Sequence, residues 1–144
     1  MELMERELRY NEAISFRLYH LCYYFSTGNE WDEDRKRLIQ FKNANEKAIR
    51  IFISQSIDIL LSHRIEKELI IVRALSSKEL VAEIETEQPL DRLGKGLSAT
   101  FGCLYLPGAL KKKHPTKPIK SLTITNRQKE LACISVKNLF EFKS

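Results

Sequence analysis

Apolar residues recur at helical spacing in two stretches of the chain. In the first, Asn45 is placed to cap a helix whose apolar positions follow at intervals of three and four, namely Ile49, Phe52, Ile53, Ile57, Leu60 and Leu61. In the second, Pro89 suits the first turn of a helix that ends at Gly102, with Leu90, Leu93, Leu97 and Phe101 on one face. The pattern predicts two amphipathic helices.

Short runs of apolar residues predict strands next to these helices. Residues 69–72 are an unbroken, β-branched run, which is typical of a parallel strand buried on both faces. Residues 103–106 form a second short run. The alternation of helix and strand predicts an α/β fold with a parallel sheet. We expect residues 69–72 at its centre, flanked by the helices that contain Phe52 and Leu97.

The N-terminal third has less regular patterns. Residues 2–13 predict a short charged helix, and residues 32–37 a second short helix with acidic residues first and basic residues last. Residues 16–25 are rich in aromatic and aliphatic side chains and favour a strand. A helix is the alternative there, because Leu18 and Phe25 also lie near one helical face.

The C-terminal part is dominated by lysine and proline. Residues 109–120 predict a flexible loop, because proline interrupts both helices and strands. Residues 123–131 predict a short helix and residues 133–142 a final strand. With no internal repeat and no linker, we expect one domain over residues 1–144, a length at which a single core is usual.

Composition favours a folded protein of the cytoplasm. The chain is 43% hydrophobic and 30% charged, and no run approaches the ~18 apolar residues that span a bilayer. The N-terminus lacks the apolar core of a signal peptide. Cys22, Cys103 and Cys133 are far apart, so we expect buried apolar thiols and neither disulfides nor a zinc ribbon. The sequence predicts a soluble protein that does not bind membranes.

Positive charge is concentrated at the C-terminal end. Residues 1–106 hold 15 Lys and Arg against 17 Asp and Glu, a net charge of −2, whereas residues 107–144 hold nine against two, a net charge of +7. Such a local field attracts phosphate groups, whether of a nucleic acid, a nucleotide or a phosphosugar.

Most catalytic and metal-binding motifs are missing from the sequence. The three histidines, His20, His63 and His114, have no partner at ligand spacing, so no metal site is predicted. Neither a phosphate-binding P-loop, a GxGxxG turn nor a GxSxG nucleophile motif occurs. Gly94 lies within an apolar helical period and is explained by close helix packing. The sequence identifies no catalytic residue.

Two segments remain as candidates for binding an anion. The polar turn after residues 69–72 carries Ser76, Ser77 and Lys78, and ligands of parallel sheets bind at the carboxyl ends of strands. The second segment is basic and contains Lys111, Lys112 and Lys113, with Arg127 following it. An ordinary connection and a solvated charge run are the alternatives. We predict that the serines and Lys78 hold a phosphate while the basic segment closes over it.

Several motifs follow one another in a familiar order. They are YYF, LIQFKN, IIVRALSSKE, PLDRLGKGLSATFG, YLPGALKKKHPTKPIKSLTITNRQKEL and NLFEF. Over residues 19–142 this order resembles the ComF-like branch of the phosphoribosyltransferases. The resemblance implies a pyrophosphate-contacting loop after the first core strand, then a basic mobile loop. Arg127 and residues 138–140 would occupy the family's R…N…F stretch.

The chain also departs from that family. It lacks the apolar strand ending in two acidic residues and a Thr-Thr-Gly-like turn, which binds the ribose and 5-phosphate of phosphoribosyl pyrophosphate. It also lacks the N-terminal cysteine-rich ribbon. The resemblance therefore implies a partial phosphoribosyltransferase-like domain with a Rossmann-like parallel sheet flanked by helices. It also implies truncation at the C-terminal end and a domain that is catalytically incomplete on its own. Magnesium is the implied cofactor only if the ligand is a pyrophosphate.

Two functions are consistent with these patterns. The first is a phosphoribosyltransferase-like module that binds a phosphosugar or nucleotide. The alternative is a non-catalytic module that binds nucleic acid or a protein partner through its basic C-terminal quarter. A domain that stops before its next strand predicts an exposed sheet edge, and hence a partner chain or a homo-oligomer. Phe140 and Phe142 are the residues expected at that contact.

Overall fold

A computed structural model describes residues 4–9, 15–20, 33–64, 69–82, 87–118 and 122–136. The chain folds into two compact units, Met1–Lys67 and Glu68–Ser144. The prediction that residues 1–144 form one domain stays a prediction.

The first unit contains a pair of antiparallel strands, β1 (Met4–Arg9) and β2 (Ser15–His20). The strand predicted over residues 16–25 is confirmed as far as residue 20, and its remainder lies outside the described residues. The helix predicted over residues 2–13 is wrong for residues 4–9, which form β1. Pairing satisfies the backbone groups that face the neighbouring strand, and local helix preference is too weak to compete with such pairing.

Two helices follow in the same unit, α1 (Glu33–Lys42) and α2 (Glu46–Ser62). Both confirm predicted helices, and Asn45 caps α2 by accepting a hydrogen bond from the Ala48 backbone N–H over 3.1 Å. The apolar face of α2 packs on α1, where the rings of Phe41 and Phe52 lie 4.8 Å apart between centroids. Buried apolar residues of both helices thus form the local core.

The second unit is built around a strand–helix–strand arrangement. Strand β3 (Ile70–Val72), helix α3 (Pro89–Phe101) and strand β4 (Leu104–Leu106) follow in order, and the two strands are parallel. Gly102 ends α3 in the left-handed conformation at φ 63°, which glycine adopts without strain. The chain is therefore mixed α/β, with a small parallel two-stranded sheet flanked by helices.

Strand β3 is less buried than its apolar run predicted. Ile71 and Tyr105 face α3, whereas the side chains on the opposite face are about half exposed, at 44% for Ile70 and 46% for Val72. The prediction of a central strand buried on both faces is therefore wrong in the described residues, because only one sheet face is covered. The burial of this strand consequently lends no support to the phosphoribosyltransferase resemblance. The Phe52 helix belongs to the other unit, and its packing on β3 stays a prediction.

The basic segment contains regular structure. After one turn of 3₁₀ helix at Pro107–Ala109, strand β5 (Leu110–Lys112) pairs antiparallel with β6 (Ile134–Val136), and α4 (Ile124–Leu131) connects into β6. The predicted flexible loop is wrong at residues 110–112, because pairing with a strand distant in sequence satisfies their backbone. The predicted short helix is confirmed, as is the final strand over residues 134–136. Phe140 and Phe142 lie outside the described residues.

None of the helices described in the structure combines the length and apolar character needed to cross a membrane.

Gly94 allows the close approach of α3 to the parallel sheet. A Cβ atom at this position would lie within 3.0 Å of three carbons of the Tyr105 ring. The Tyr105 hydroxyl is hydrogen bonded to Asp91, so the ring cannot retreat without breaking that bond. The interpretation of Gly94 as a close-packing residue is confirmed.

We expect Gly94→Ala to destabilise the protein by about 1–3 kcal/mol, because overpacking outweighs the gain in helix propensity. Urea unfolding followed by circular dichroism measures the change. Gly108→Ala is the matched control, since a Cβ there meets no atom within 4 Å. Equal stabilities for the two variants would contradict this account.

Candidate functional site

A pocket of about 340 Å³ lies beside the turn that follows β3. Its polar lining consists of Ser77, Lys112, Thr116 and Lys117. The remaining lining is apolar and comes from Ala74, Leu75, Leu110, Leu131 and Ile134. Apolar walls with a few convergent polar groups are typical of small-molecule sites.

Strand β5 positions the central cation of this pocket. Side chains alternate along a strand, so Lys111 and the following Lys113 are exposed while Lys112 between them is only 8% exposed. The Lys112 backbone N–H donates to the Leu80 carbonyl oxygen over 2.8 Å, which fixes the strand against residues 80–81. One of the three consecutive lysines is thereby directed into the protein.

The Lys112 ammonium group has only neutral partners among the described residues. Its Nζ atom donates to the Ser76 carbonyl oxygen over 2.5 Å and to the Thr116 hydroxyl oxygen over 3.1 Å. An ammonium group carries three N–H donors, so one of them remains for a ligand. A buried charge normally has an opposite charge beside it, and this lysine has none in the described part of the chain.

The turn between β3 and residue 80 is tied to the pocket by backbone contacts. The Thr116 N–H donates to the Ser77 carbonyl oxygen over 2.8 Å, and the Glu79 N–H donates to the Ser76 carbonyl oxygen over 3.2 Å. The Glu79 carboxylate accepts the Ser76 N–H over 2.7 Å. The turn is therefore held at both its N–H and its carbonyl groups.

A buried ion cluster lies at the carboxyl end of β3. The Arg73 guanidinium, only 2% exposed, donates to both carboxylate oxygens of Glu79, over 2.7 and 3.2 Å. Its Nε atom lies 3.0 Å from Asp91 Oδ1. The planar guanidinium makes a bidentate contact with the Glu79 carboxylate, which adds geometric specificity to the charge attraction.

Helix α3 and strand β4 supply the rest of the cluster. Asp91 accepts the Gln88 backbone N–H at the helix N-terminus over 3.2 Å and the Tyr105 hydroxyl over 2.5 Å. The Gln88 side chain contacts both Arg73 and Glu79. These contacts join β3, α3, β4 and the Ser76 turn. The five residues that make them are called the Arg73 cluster below: Arg73, Glu79, Gln88, Asp91 and Tyr105.

The cluster favours the ionised forms of Glu79 and Arg73. Burial alone would raise the pKa of Glu79, but hydrogen bonds from Arg73 and Ser76 outweigh it and hold that pKa below its ordinary value. Burial, followed by the hydrogen bond to Asp91, raises the pKa of Tyr105 above its ordinary range. The phenol therefore stays a donor to Asp91.

The structure brings together three of the seven predicted phosphate-binding residues, two of them in the lining of the pocket. Ser77 and Lys112 line the pocket, and the carbonyl group of Ser76 contacts Lys112. Lys78, Lys111 and Lys113 are exposed and are not among the lining residues. Arg127 is exposed on α4, where its Nε atom donates to the Leu122 carbonyl oxygen over 3.0 Å. Binding of phosphate by these residues stays a prediction.

Sequence reasoning missed the other polar residues of this region. Thr116 and Lys117 lie in the lysine-rich segment but give no periodic signal that would distinguish them. Arg73 ends the apolar run of β3, and Asp91 stands two residues after Pro89 in a helix-capping position. Those two local signals point to a buried arginine and a fixed carboxylate, although not to their mutual contact.

Comparison with protein-family models, with curated proteins and with solved structures finds no match to this chain.

The described lining of the pocket does not fit a magnesium ion held by the protein. Magnesium takes one or two carboxylate ligands beside the oxygens of its substrate. The lining contains no carboxylate, and no group of three or more His, Cys, Asp or Glu residues suited to a metal occurs in the described ranges.

Glu79→Gln should lower the free energy of unfolding by about 1.5–3 kcal/mol, the usual size of a hydrogen bond to a charged group. The change leaves the buried Arg73 with one carboxylate fewer. Glu87→Gln is the matched control, because Glu87 and Lys95 form a pair with side chains about half exposed, and such surface pairs contribute about 0–1 kcal/mol. Urea unfolding at neutral pH measures both, and equal losses would contradict the assignment.

The stabilisation by Glu79 should disappear in acid. Its pKa is lower in the folded than in the unfolded protein, so the folded state binds fewer protons. The contribution is complete above the unfolded pKa of glutamate and is lost as the pH falls through the folded pKa. The stability difference between the wild type and Glu79→Gln should therefore shrink below about pH 4. A difference that is constant down to pH 2 would contradict this linkage.

Proposed function

We propose that this protein binds a small phosphate-bearing molecule, a phosphosugar or a nucleotide, in the pocket around Lys112. The proposal rests on one observation: within the described part of the chain, the nearly buried Lys112 ammonium has only neutral partners and one unused N–H donor, and it lies at a pocket. An anion at this point would supply the missing counter-charge.

The other polar groups of the pocket suit the same ligand. The Thr116 hydroxyl and the Lys117 side chain stand beside Lys112, and hydroxyls and ammonium groups are common phosphate donors. The apolar lining, including Leu75 and Leu131, offers a surface for the uncharged part of such a molecule. The ComF-like resemblance supports a ribose phosphate or a nucleotide in particular.

The polar lining supports binding rather than a reaction. Lysine and hydroxyl side chains hold and orient an anion, and no described carboxylate lines the pocket. In the proposal the chain is a phosphoribosyltransferase-like binding module, incomplete as a catalyst without a further acidic group.

The exposed lysines favour a second candidate function. Lys111, on the face of β5 opposite to Lys112, and Lys113, directly after the strand, are both exposed to solvent. Exposed lysines bind nucleic-acid phosphates without regard to sequence and with strong salt dependence. This alternative uses the outer face of β5 and leaves the pocket empty.

Lys112→Met should weaken the binding of phosphoribosyl pyrophosphate and of adenosine monophosphate by about tenfold to a hundredfold. A charge-assisted contact contributes about 1.5–3 kcal/mol, and 1.4 kcal/mol corresponds to a factor of ten. Stability should not fall much, because apolar replacement of a buried charge is often neutral or stabilising. Isothermal titration calorimetry measures affinity, and Lys129→Met on the exposed side of α4 is the matched control.

Competition with a short single-stranded oligonucleotide separates the two functions. Pocket binding predicts that Lys112→Met weakens small-molecule binding by about tenfold to a hundredfold, while Lys111→Met with Lys113→Met changes it little. If the oligonucleotide binds more tightly than either small molecule, and only the Lys111 and Lys113 changes weaken it, the nucleic-acid function is correct and the pocket proposal is wrong.

A further inference from the structure

Ser76 connects the buried Arg73 cluster to the pocket. Its backbone N–H donates a hydrogen bond to Glu79 Oε2 over 2.7 Å. Its carbonyl oxygen accepts a hydrogen bond from the Lys112 ammonium over 2.5 Å. Both hydrogen bonds thus use the backbone of the same residue, one its N–H and the other its carbonyl group. A shift of the Ser76 turn therefore moves an acceptor of the Lys112 ammonium.

Arg73 determines where Glu79 holds that turn. Its guanidinium contacts both Glu79 oxygens, and the guanidinium is itself fixed by Asp91. The side chains of Arg73, Glu79 and Asp91 are only 2%, 11% and 7% exposed. Without the guanidinium, two buried carboxylates would face each other with no cation between them, and Glu79 would move away to become solvated.

The contacts form one continuous series from strand β4 to the pocket. Tyr105 donates to Asp91, Asp91 lies against Arg73, Arg73 holds Glu79, Glu79 holds Ser76, and the Ser76 carbonyl holds Lys112. Arg73 is not among the residues that line the Lys112 pocket. Arg73 therefore makes no direct contact with a ligand in that pocket, and the contacts that connect it to Lys112 run through the turn.

We infer that Arg73 is a positioning residue for the pocket, which acts through Glu79 and Ser76 to hold the Lys112 ammonium where it meets the ligand anion. This inference rests on the proposed function. It assigns to the end of β3 a role in ligand affinity beyond its role in stability. The guanidinium geometry matters as well as its charge, because a lysine at position 73 cannot contact both Glu79 oxygens in the same plane.

A double-mutant cycle tests the inference. The probe is inorganic pyrophosphate, and protein NMR titrations measure dissociation constants into the millimolar range. Arg73→Lys should weaken pyrophosphate binding by about fivefold to tenfold in the wild-type background, a usual size for coupling through a network. In a Lys112→Met background the same change should have less than a twofold effect, because the group it positions has been removed.

The non-additivity distinguishes positioning from a general structural effect. A loss of packing would weaken binding by the same factor in both backgrounds, and that result overturns the inference. Glu87→Gln, which breaks the exposed Glu87–Lys95 pair, should leave pyrophosphate binding unchanged in both. If Arg73→Lys does not fold, Glu79→Gln interrupts the same series one step closer to Ser76 and carries the cycle instead.

Failure of the inference and failure of the proposed function give different results. No binding of pyrophosphate, phosphoribosyl pyrophosphate or adenosine monophosphate by the folded wild type contradicts the proposed function, and the inference with it. Binding that depends on Lys112 but is indifferent to Arg73 and Glu79 contradicts the inference alone.

Discussion

The burial of one guanidinium group organises the second structural unit. Arg73 follows the last residue of β3 and is almost inaccessible to water, so its charge must be balanced by nearby acceptors. Glu79 and Asp91 provide that balance from the turn and from the first turn of α3. Because such a charge is costly to bury alone, the parallel strands, the helix between them and the following turn are bound to one arrangement.

Small elements depend on a cluster of this kind more than large ones do. Each strand of the parallel pair has three residues, and one face of the pair is about half exposed, so apolar burial alone gives it modest support. The close contact between Gly94 and Tyr105 adds packing on the covered face, and the Tyr105 hydroxyl joins that packing to the ion cluster. Apolar contacts and the ion cluster therefore stabilise the same interface.

The candidate site combines two buried cations with different surroundings. The charge of Arg73 is compensated by two carboxylates. The described partners of Lys112, in contrast, are a carbonyl and a hydroxyl group, which carry no charge. A paired buried charge contributes to the fold, and an uncompensated one beside a pocket attracts an anion. The two lie on either side of the Ser76 turn, which links stability at one end to binding at the other.

The sequence by itself determined the features that depend on neighbouring residues. The Asn45 cap, the apolar faces of α2 and α3, and the end of α3 at Gly102 follow from spacing and backbone preference. The positions of the strands at 70–72 and 104–106 follow from their short apolar runs, and the basic C-terminal quarter follows from counting charges. Only the tertiary structure decided which of three adjacent lysines is buried, that residues 4–9 pair as a strand, and that Arg73 meets Asp91. Each of these depends on contacts between different segments of the chain, about which the periodicity within one segment carries no information.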